Sequence, residues 1–422
     1  MSIRHPLAVF ICMAMAAALI WSKALLAITA ILLALVACTD IQIQPFRLRW
    51  VLTPTAVKES IKARPWLWVF SLFFFLYIVS FVYAGDIKAW WSLTHMKSDF
   101  LVVALSFAML KPFSRKDFMM VMLTLIALAW WSSIWVQVGY FQNFELFNKM
   151  LGQGGVLPVP TNHIRYSIII AICAITCAGM AFENMTLRYA WERKVYIALA
   201  IYFFYFLHLL AVRSGLMVGY AGGMLMVLFY THKMRLWQRA SLLLLLAISP
   251  YLAYTLFPGV KQKVHYALYD FKQFQQDQAS NYSDSERWRS FKAGLDIGNR
   301  HPFFGTGTGS FTRELADYYQ EHFNLSKWNR PHNQYMNVFT LFGLTGLAIF
   351  LFIIIYPMTF SFFWKPPWIA TIYIMQLISM LVEHPVDTAP GTSLFLLLTL
   401  LGMSYQEYEN RKKHHVTATD LP

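Results

Sequence analysis

The chain has 422 residues, of which 58% are hydrophobic and only 13% charged, and its formal net charge is +14. A water-soluble protein of this length needs far more charged residues to cover its surface, so the composition excludes a soluble fold and predicts lipid-facing surfaces. The basic excess is typical of membrane topology and anionic-lipid contact. We therefore expect membrane lipids, and no nucleic acid, among the partners.

Apolar segments that are almost free of charge recur along the whole chain. Because a span needs roughly 20 apolar residues, they predict about twelve transmembrane helices. Segment 100–110 is the shortest and is included because the topology requires it. The predicted spans are residues 6–22, 24–38, 66–84, 100–110, 118–139, 166–182, 195–212, 214–231, 240–260, 334–364, 366–382 and 388–406.

The distribution of lysine and arginine predicts the orientation. With both termini cytoplasmic, the short inner segments hold more than half of the 35 Lys and Arg, as the positive-inside rule requires. Segment 39–64 then lies inside, either at the lipid headgroups or as a plain solvated loop. We predict an all-α polytopic membrane protein that divides into transmembrane helices 1–9 (residues 1–256), a helical periplasmic loop subdomain (257–331), transmembrane helices 10–12 (332–407) and a cytoplasmic tail (408–422).

The long outer loop is patterned like a folded subdomain. Helical spacing predicts helices at 260–278, 283–299 and 311–323, with Ser310 as a candidate N-cap of the last. Trp288, Phe291 and Leu295 fall on one face of the second helix, which predicts that this face is packed. The glycine-rich segment 301–310 is a turn between helices and lacks the lysine of a phosphate-binding P-loop.

Pro331-His332-Asn333 opens the tenth predicted span. Proline favours the first helical position, which places His332 in the first turn. The helix dipole there disfavours imidazolium, so the neutral ring could accept a proton. The alternative is an interfacial histidine that merely ends the loop.

Several outer arginines are candidate ligands for an anion. Arg213, at the outer end of the seventh span, either reaches a lipid headgroup or grips phosphate oxygens with its planar guanidinium. Arg287 lies beside the predicted packing face of the loop helix, with Arg289 on the other flank, and both could instead form a solvated face. Arg165, which follows Asn162-His163, is a further outward-facing arginine.

The last outer loop contains Glu383, His384 and Asp387. These residues could orient a base or bind a sugar, or they could form a polar turn before Pro390. The sequence contains no Cys/His knuckle or carboxylate-rich metal cluster, so we expect no catalytic metal and no cofactor.

The order of these features resembles the signature of the O-antigen ligase superfamily. Arg287 is followed by Pro302-Phe-Phe-Gly-Thr-Gly-Thr-Gly, then by Pro331-His-Asn, and after nine residues by Gly343-Leu-Thr-Gly346. The superfamily also includes O-antigen polymerases and bacterial protein O-oligosaccharyltransferases. The architecture fits over nearly the whole chain, and the motif from Arg287 to Gly346 is more specific for the superfamily than for any one member.

The resemblance implies a GT-C-like enzyme of the Gram-negative inner membrane. Such an O-antigen ligase is a metal-independent, inverting glycosyltransferase that moves O-antigen glycan from undecaprenyl pyrophosphate to the lipid A–core oligosaccharide on the periplasmic face. His332 matches the family's essential histidine, the proposed general base, and Arg213 and Arg287 match arginines thought to hold the pyrophosphate. Further candidates for substrate binding are Arg165, Arg289, Asn333 and Asp387.

Two other functions remain open from the sequence. An O-antigen polymerase or a protein O-oligosaccharyltransferase would use the same kind of donor with another acceptor. A lipid-linked glycan transporter belongs to a different class, with Arg213 and His332 lining a substrate path. Transporters often contain inverted repeats and helices broken within the membrane, and we find neither in this sequence. The candidate residues also cluster on one side of the membrane, so an enzyme is favoured.

Overall fold

In the computed structural model of the protein, residues 2–42, 47–232, 235–275 and 283–419 are described. Residues 276–278 of the first predicted loop helix and 420–422 of the predicted tail lie outside them. The helices are α1 Arg4–Trp21, α2 Lys23–Cys38, α3 Pro54–Ala63, α4 Pro65–Trp68, α5 Ser71–Val79, α6 Ile87–Thr94, α7 Ser98–Met109, α8 Arg115–Gln142, α9 Phe144–Gly152, α10 His163–Phe182, α11 Glu192–Leu210, α12 Arg213–Tyr230, α13 Leu236–Leu256, α14 Pro258–Gln275, α15 Ser283–Arg300, α16 Phe311–Phe323, α17 Gln334–Ile355, α18 Pro367–Ser379 and α19 Ala389–Thr419.

The apolar helices confirm an α-helical, multi-pass membrane protein. Within the described residues, six are long and apolar enough to cross a membrane, and three shorter ones are also apolar. The predicted total of about twelve spans stays a prediction, because α7 has 12 residues and covers only about 18 Å at a rise of 1.5 Å per residue. The six are Arg4–Trp21, Arg115–Gln142, His163–Phe182, Glu192–Leu210, Leu236–Leu256 and Gln334–Thr359, and the three are Lys23–Cys38, Ser71–Tyr83 and Pro367–Ser379.

Segment 39–64 corrects the prediction of a purely α-helical chain. Strands β1 (Thr39–Gln42) and β2 (Arg47–Trp50) form an antiparallel pair, in which Thr39 lies opposite Trp50. Helix α3 follows, and its first turn is capped by the Thr53 side chain, which accepts a hydrogen bond from the Ala56 N–H at 3.2 Å. The segment is therefore not a plain solvated loop, and its position at the headgroups stays a prediction.

The chain forms two compact units. The first contains Met1–Thr124, Phe291–Lys365 and His384–Pro422. It holds a deeply buried ion pair, in which the Arg64 guanidinium lies 2.7 Å from a Glu407 carboxylate oxygen and the side chains are 5% and 3% exposed. Arg64 also donates to the carbonyls of Phe107 and Leu110, both at 2.7 Å. Such a pair persists in an apolar interior because its remaining donors are satisfied.

The second unit contains Leu125–Ser290 and Pro366–Glu383 and is packed around α10. Glycines allow the neighbouring helices to approach α10 closely. A Cβ atom at Gly215 of α12 would lie 2.4 Å from the Ser167 side chain, and one at Gly179 would lie 2.4 Å from Trp368 of α18. Small residues at helix interfaces serve the same purpose in many membrane proteins.

The expectation that no apolar helix is broken is wrong. Helix α17 of the first unit is broken at Gly343, where φ is +64° and ψ is −162°. The glycine-rich turn supplies the backbone partners around the break, through Leu344 N–H to Pro302 O at 2.7 Å and Gly307 N–H to Leu341 O at 2.9 Å. Backbone groups inside a membrane protein must be satisfied by the protein itself, so the turn compensates for the interrupted helix. The two glycine motifs of the sequence signature are thus parts of one structural element.

The packing face of α15 differs from the predicted one. Trp288 is 54% exposed and Leu295 37% exposed, whereas Ile297 is buried. Gly294 and Gly298 lie on the buried side, where added Cβ atoms would come within 2.6 Å of Pro331 and 2.4 Å of Phe339. This close approach leaves room only for small residues at these two positions, and Trp288 and Leu295 lie on the exposed side. The predicted bounds of α16 are confirmed and Ser310 occupies the N-cap, although its side chain makes no capping hydrogen bond.

Replacing Gly343 by alanine should destabilise the fold. The conformation at this position is almost exclusive to glycine and costs other residues about 1–3 kcal/mol, and the new Cβ would lie 2.4 Å from the backbone carbon of Phe303. We expect a lower midpoint of thermal unfolding in detergent. Gly139→Ala is the control, because Gly139 of α8 has a negative φ and a Cβ added there would meet no atom within 4 Å. Equal midpoints for the two variants would contradict this account of the break.

Candidate functional site

A small cleft in the second unit collects cationic side chains. Its volume is about 110 Å³, below the roughly 300–1,000 Å³ of pockets that enclose drug-sized ligands, so it suits one small group rather than a sugar repeat. Arg213, Lys263 and Arg287 supply three cations, and His163 is a fourth titratable group. The full lining is Gly154, Val156, His163, Ile164, Ala211, Val212, Arg213, Ser214, Lys263 and Arg287.

The N-terminus of α12 forms one wall of this cleft. Helix α11 ends at Ala211 in the left-handed conformation (φ +52°), and α12 begins two residues later at Arg213. The N-cap residue, Val212, has no side-chain acceptor, so it cannot satisfy the N–H groups of the first turn. Those donors and the positive end of the helix dipole favour an anion at the same place as the Arg213 side chain.

The N-terminus of α10 contributes a second wall through His163 and Ile164. Here the Asn162 side chain caps the helix, accepting from the N–H groups of Ile164 at 3.1 Å and Arg165 at 3.3 Å. The close packing of Gly215 on Ser167 holds the first turns of α10 and α12 together. Two helix starts therefore shape the cleft, and the one at α12 lacks a capping side chain.

Lys263 of α14 is a cleft residue that the sequence analysis missed. Its Nζ donates to the carbonyl oxygens of Gly154 at 3.0 Å and Gly155 at 2.5 Å. Burial, together with the charge of Arg213, lowers the pKa of Lys263 to about 8. Nothing in the local sequence distinguishes this lysine from the other basic residues of the loop, because its role depends on segments distant along the chain.

Arg287 is paired with Glu383 in the same unit. Its Nη2 donates to Glu383 Oε1 at 2.7 Å, and the side chains are 31% and 11% exposed. The sequence suggested that Glu383 could orient a base or bind a sugar, whereas the structure shows that it holds a guanidinium of the cationic cleft. This contact orients Arg287 and leaves part of the guanidinium open to solvent.

The other two predicted arginines, Arg165 and Arg289, lie in the same unit. Arg289 is only 8% exposed and is more buried than Arg287, so the prediction that Arg287 lies nearest the packing face is wrong. Arg165 is partly buried and interacts electrostatically with Glu383. Within the described residues, neither lines the cleft, and their part in substrate binding stays a prediction.

His332, in the first unit, lies just outside α17. The helix begins at Gln334, and the Asn333 side chain caps it by accepting from the Met336 N–H at 3.0 Å. The prediction of His332 in the first turn is therefore wrong, because asparagine is a strong N-cap and shifts the helix start past it. The imidazole of His332 lies beside that of His384, with ring centroids 5.4 Å apart and planes at 64°.

Asp387, also in the first unit, is buried among protein donors. Its carboxylate contacts Lys97 Nζ at 2.6 Å and accepts from Gln334 Nε2 at 3.2 Å and from Asn337 Nδ2. Substrate binding by Asp387 and by the capping residue Asn333 stays a prediction, and their visible contacts are internal. Lys97 is a further residue that the sequence analysis missed, since its burial depends on contacts with segments distant along the chain.

A comparison with known protein families identifies the central part of this chain. Residues 198–351 match the family described as O-antigen ligase. No curated protein matches the chain. The matched segment runs from within α11 to within α17 and includes Arg213, Lys263, Arg287 and His332. The match over residues 198–351 supports the resemblance to the O-antigen ligase superfamily that the sequence signature indicates.

Proposed function

We propose that this protein is an O-antigen ligase of the Gram-negative inner membrane, with cytoplasmic termini and a periplasm-facing site. It transfers O-antigen glycan from undecaprenyl pyrophosphate to the lipid A–core oligosaccharide. The observation that carries the proposal is the cleft at the α12 N-terminus, where three cations meet a helix start that lacks a capping side chain. A diphosphate linked to a lipid is the kind of group that such a site would hold at a membrane surface.

In this proposal Arg213, Arg287 and Lys263 bind the pyrophosphate of the donor. Negative charge develops on the leaving diphosphate as the glycosidic bond to phosphate breaks. Fixed cations placed where that charge develops stabilise the transition state and require no metal ion. The partly exposed Arg287 could exchange its contact with Glu383 for one with the diphosphate.

His332 is the proposed general base. It accepts the proton of the acceptor hydroxyl while the hydroxyl oxygen attacks the anomeric carbon and the bond to diphosphate breaks. A single displacement of this kind inverts the anomeric configuration. Histidine suits the role because the ordinary pKa of its side chain lies near neutral pH.

The proposed function predicts acceptor-dependent transfer by the purified full-length protein. With labelled undecaprenyl-pyrophosphate glycan, lipid A–core and excess EDTA, we expect labelled lipopolysaccharide, because the cationic cleft supplies charge stabilisation without a metal. Stepwise lengthening of the donor in the absence of acceptor would identify a polymerase instead. Labelling of a protein acceptor would identify an O-oligosaccharyltransferase, and donor uptake into proteoliposomes without transfer would favour a transporter.

Substitutions should separate the two roles. His332→Ala should lower kcat by roughly 10²–10⁴-fold, the usual contribution of general base catalysis, with little change in donor KM. Arg213→Ala and Arg287→Ala should raise donor KM as well as lower kcat, because they remove cations from the cleft. Arg313→Ala, on an exposed position of α16, is the control and should match the wild type. Near-normal turnover by His332→Ala would show that the base assignment is wrong.

Donor capture should weaken as the pH rises through about 8, the pKa of Lys263. A lysine binds an anion only when protonated, so the charge contributes below this pH and is lost above it. His163, Arg213 and Arg287 also face the cleft, and the two arginines stay charged throughout this range. We expect kcat/KM for the donor to fall above pH 8 in the wild type and to stay level in Lys263→Arg. An identical fall in both proteins would contradict a role for Lys263.

A further inference from the structure

The first unit contains a buried ionic cluster that the proposed chemistry does not use. Lys97 Nζ and Asp387 Oδ1 are 2.6 Å apart, and their side chains are 3% and 1% exposed. Charged groups at this depth are costly unless they are paired and hydrogen-bonded. The pairing of Lys97 with Asp387 therefore holds together the two parts of the chain that carry these residues.

The Lys97 side chain is enclosed by other groups of the protein. It ends the short 3₁₀ turn His95–Lys97 before α7, and its Nζ donates to the Val386 carbonyl at 2.5 Å. The ammonium also lies 5.2 Å from the centroid of the Tyr77 ring, a cation–π distance. A side chain so buried does not touch a substrate, so any effect on the reaction must pass through its neighbours.

Asp387 links two segments that are distant along the chain. It ends the 3₁₀ turn Pro385–Asp387, and its Oδ2 accepts from Gln334 at 3.2 Å and from Asn337. Both donors lie in the first turns of α17. Its other oxygen contacts Tyr77 at 3.4 Å as well as Lys97.

The two linked segments carry the two histidines. His384 directly precedes the 3₁₀ turn and His332 directly precedes the Asn333 cap of α17. Burial by itself would raise the pKa of Asp387, but the charges of Lys97, Arg330 and His384 hold it below its usual value. An ionised carboxylate keeps all its acceptor sites for these donors.

We infer that Lys97 is a positioning residue for the proposed transfer reaction, acting through Asp387 to fix the helix start and the turn that present His332 and His384. The inference rests on the proposed function, because it concerns the orientation of the proposed base. It adds a residue outside the region matched by the family, in a loop that the sequence motif does not reach. Lys97 itself makes no contact with the reacting groups.

A mutant cycle tests this inference in the full-length protein. Lys97→Met should lower kcat by about 100-fold, the scale expected for a misplaced catalytic group, while donor KM changes little. Asp387→Asn should do the same. In the double variant, which leaves no uncompensated buried charge, the loss should be no greater than for Asp387→Asn alone, because both changes interrupt one linkage. Multiplying losses, or an unchanged kcat in Lys97→Met, would overturn the inference.

Arg64→Met provides the matched control for a purely structural effect. It breaks the deeply buried pair of Arg64 with Glu407, which lies in the same unit and has similar exposure. We expect Arg64→Met to lower the thermal unfolding midpoint without changing kcat per folded molecule. If activity in Lys97→Met fell only in proportion to the folded fraction, the residue would be structural and the inference wrong. A wild type without transfer activity would overturn the proposed function, whereas an active wild type with an unchanged kcat in Lys97→Met would overturn this inference alone, so the two failures are distinguishable.

Discussion

The constraint that governs this structure is that backbone N–H and C=O groups inside a membrane must find hydrogen-bond partners within the protein. Inside lipid the chain can leave few N–H and C=O groups without a protein partner, yet α17 is interrupted at Gly343. The turn around Gly305 and Gly307 supplies the missing partners, and both glycines have positive φ values that suit it. The signature glycines therefore support the backbone around the break in α17, and this role requires no contact with a substrate.

Charge is distributed differently in the two units. In the second unit, cations gather where helix starts already favour an anion, and Arg287 is paired there with Glu383. In the first unit, two deeply buried ion pairs join Arg64 with Glu407 and Lys97 with Asp387. A cluster of cations beside a cleft suits anion binding, whereas a buried ion pair suits rigid placement of the backbone and of the residues beside it.

The proposed division of labour follows from these two arrangements. Holding a diphosphate requires positive charge beside the ligand, and Arg213, Lys263 and Arg287 line one cleft. Accepting a proton requires one imidazole in a fixed orientation, and His332 adjoins a helix start tied to Asp387. Both tasks can be met with ordinary side chains, since the pyrophosphate is already a good leaving group.

The sequence by itself determined the membrane class and most helix positions, and it indicated the family resemblance. These features depend on hydrophobic runs, capping residues and a local motif, all of which can be recognised from the order of residues along the chain. Arg213 and Arg287 were identified from their positions, and the structure places both on one cleft. Only the tertiary structure decided that Lys263 joins them, that Asn333 starts α17, that Trp288 faces outwards and that Lys97 is buried against Asp387. Those outcomes depend on contacts between residues far apart in the chain, where close glycine packing and charge pairing override local periodicity.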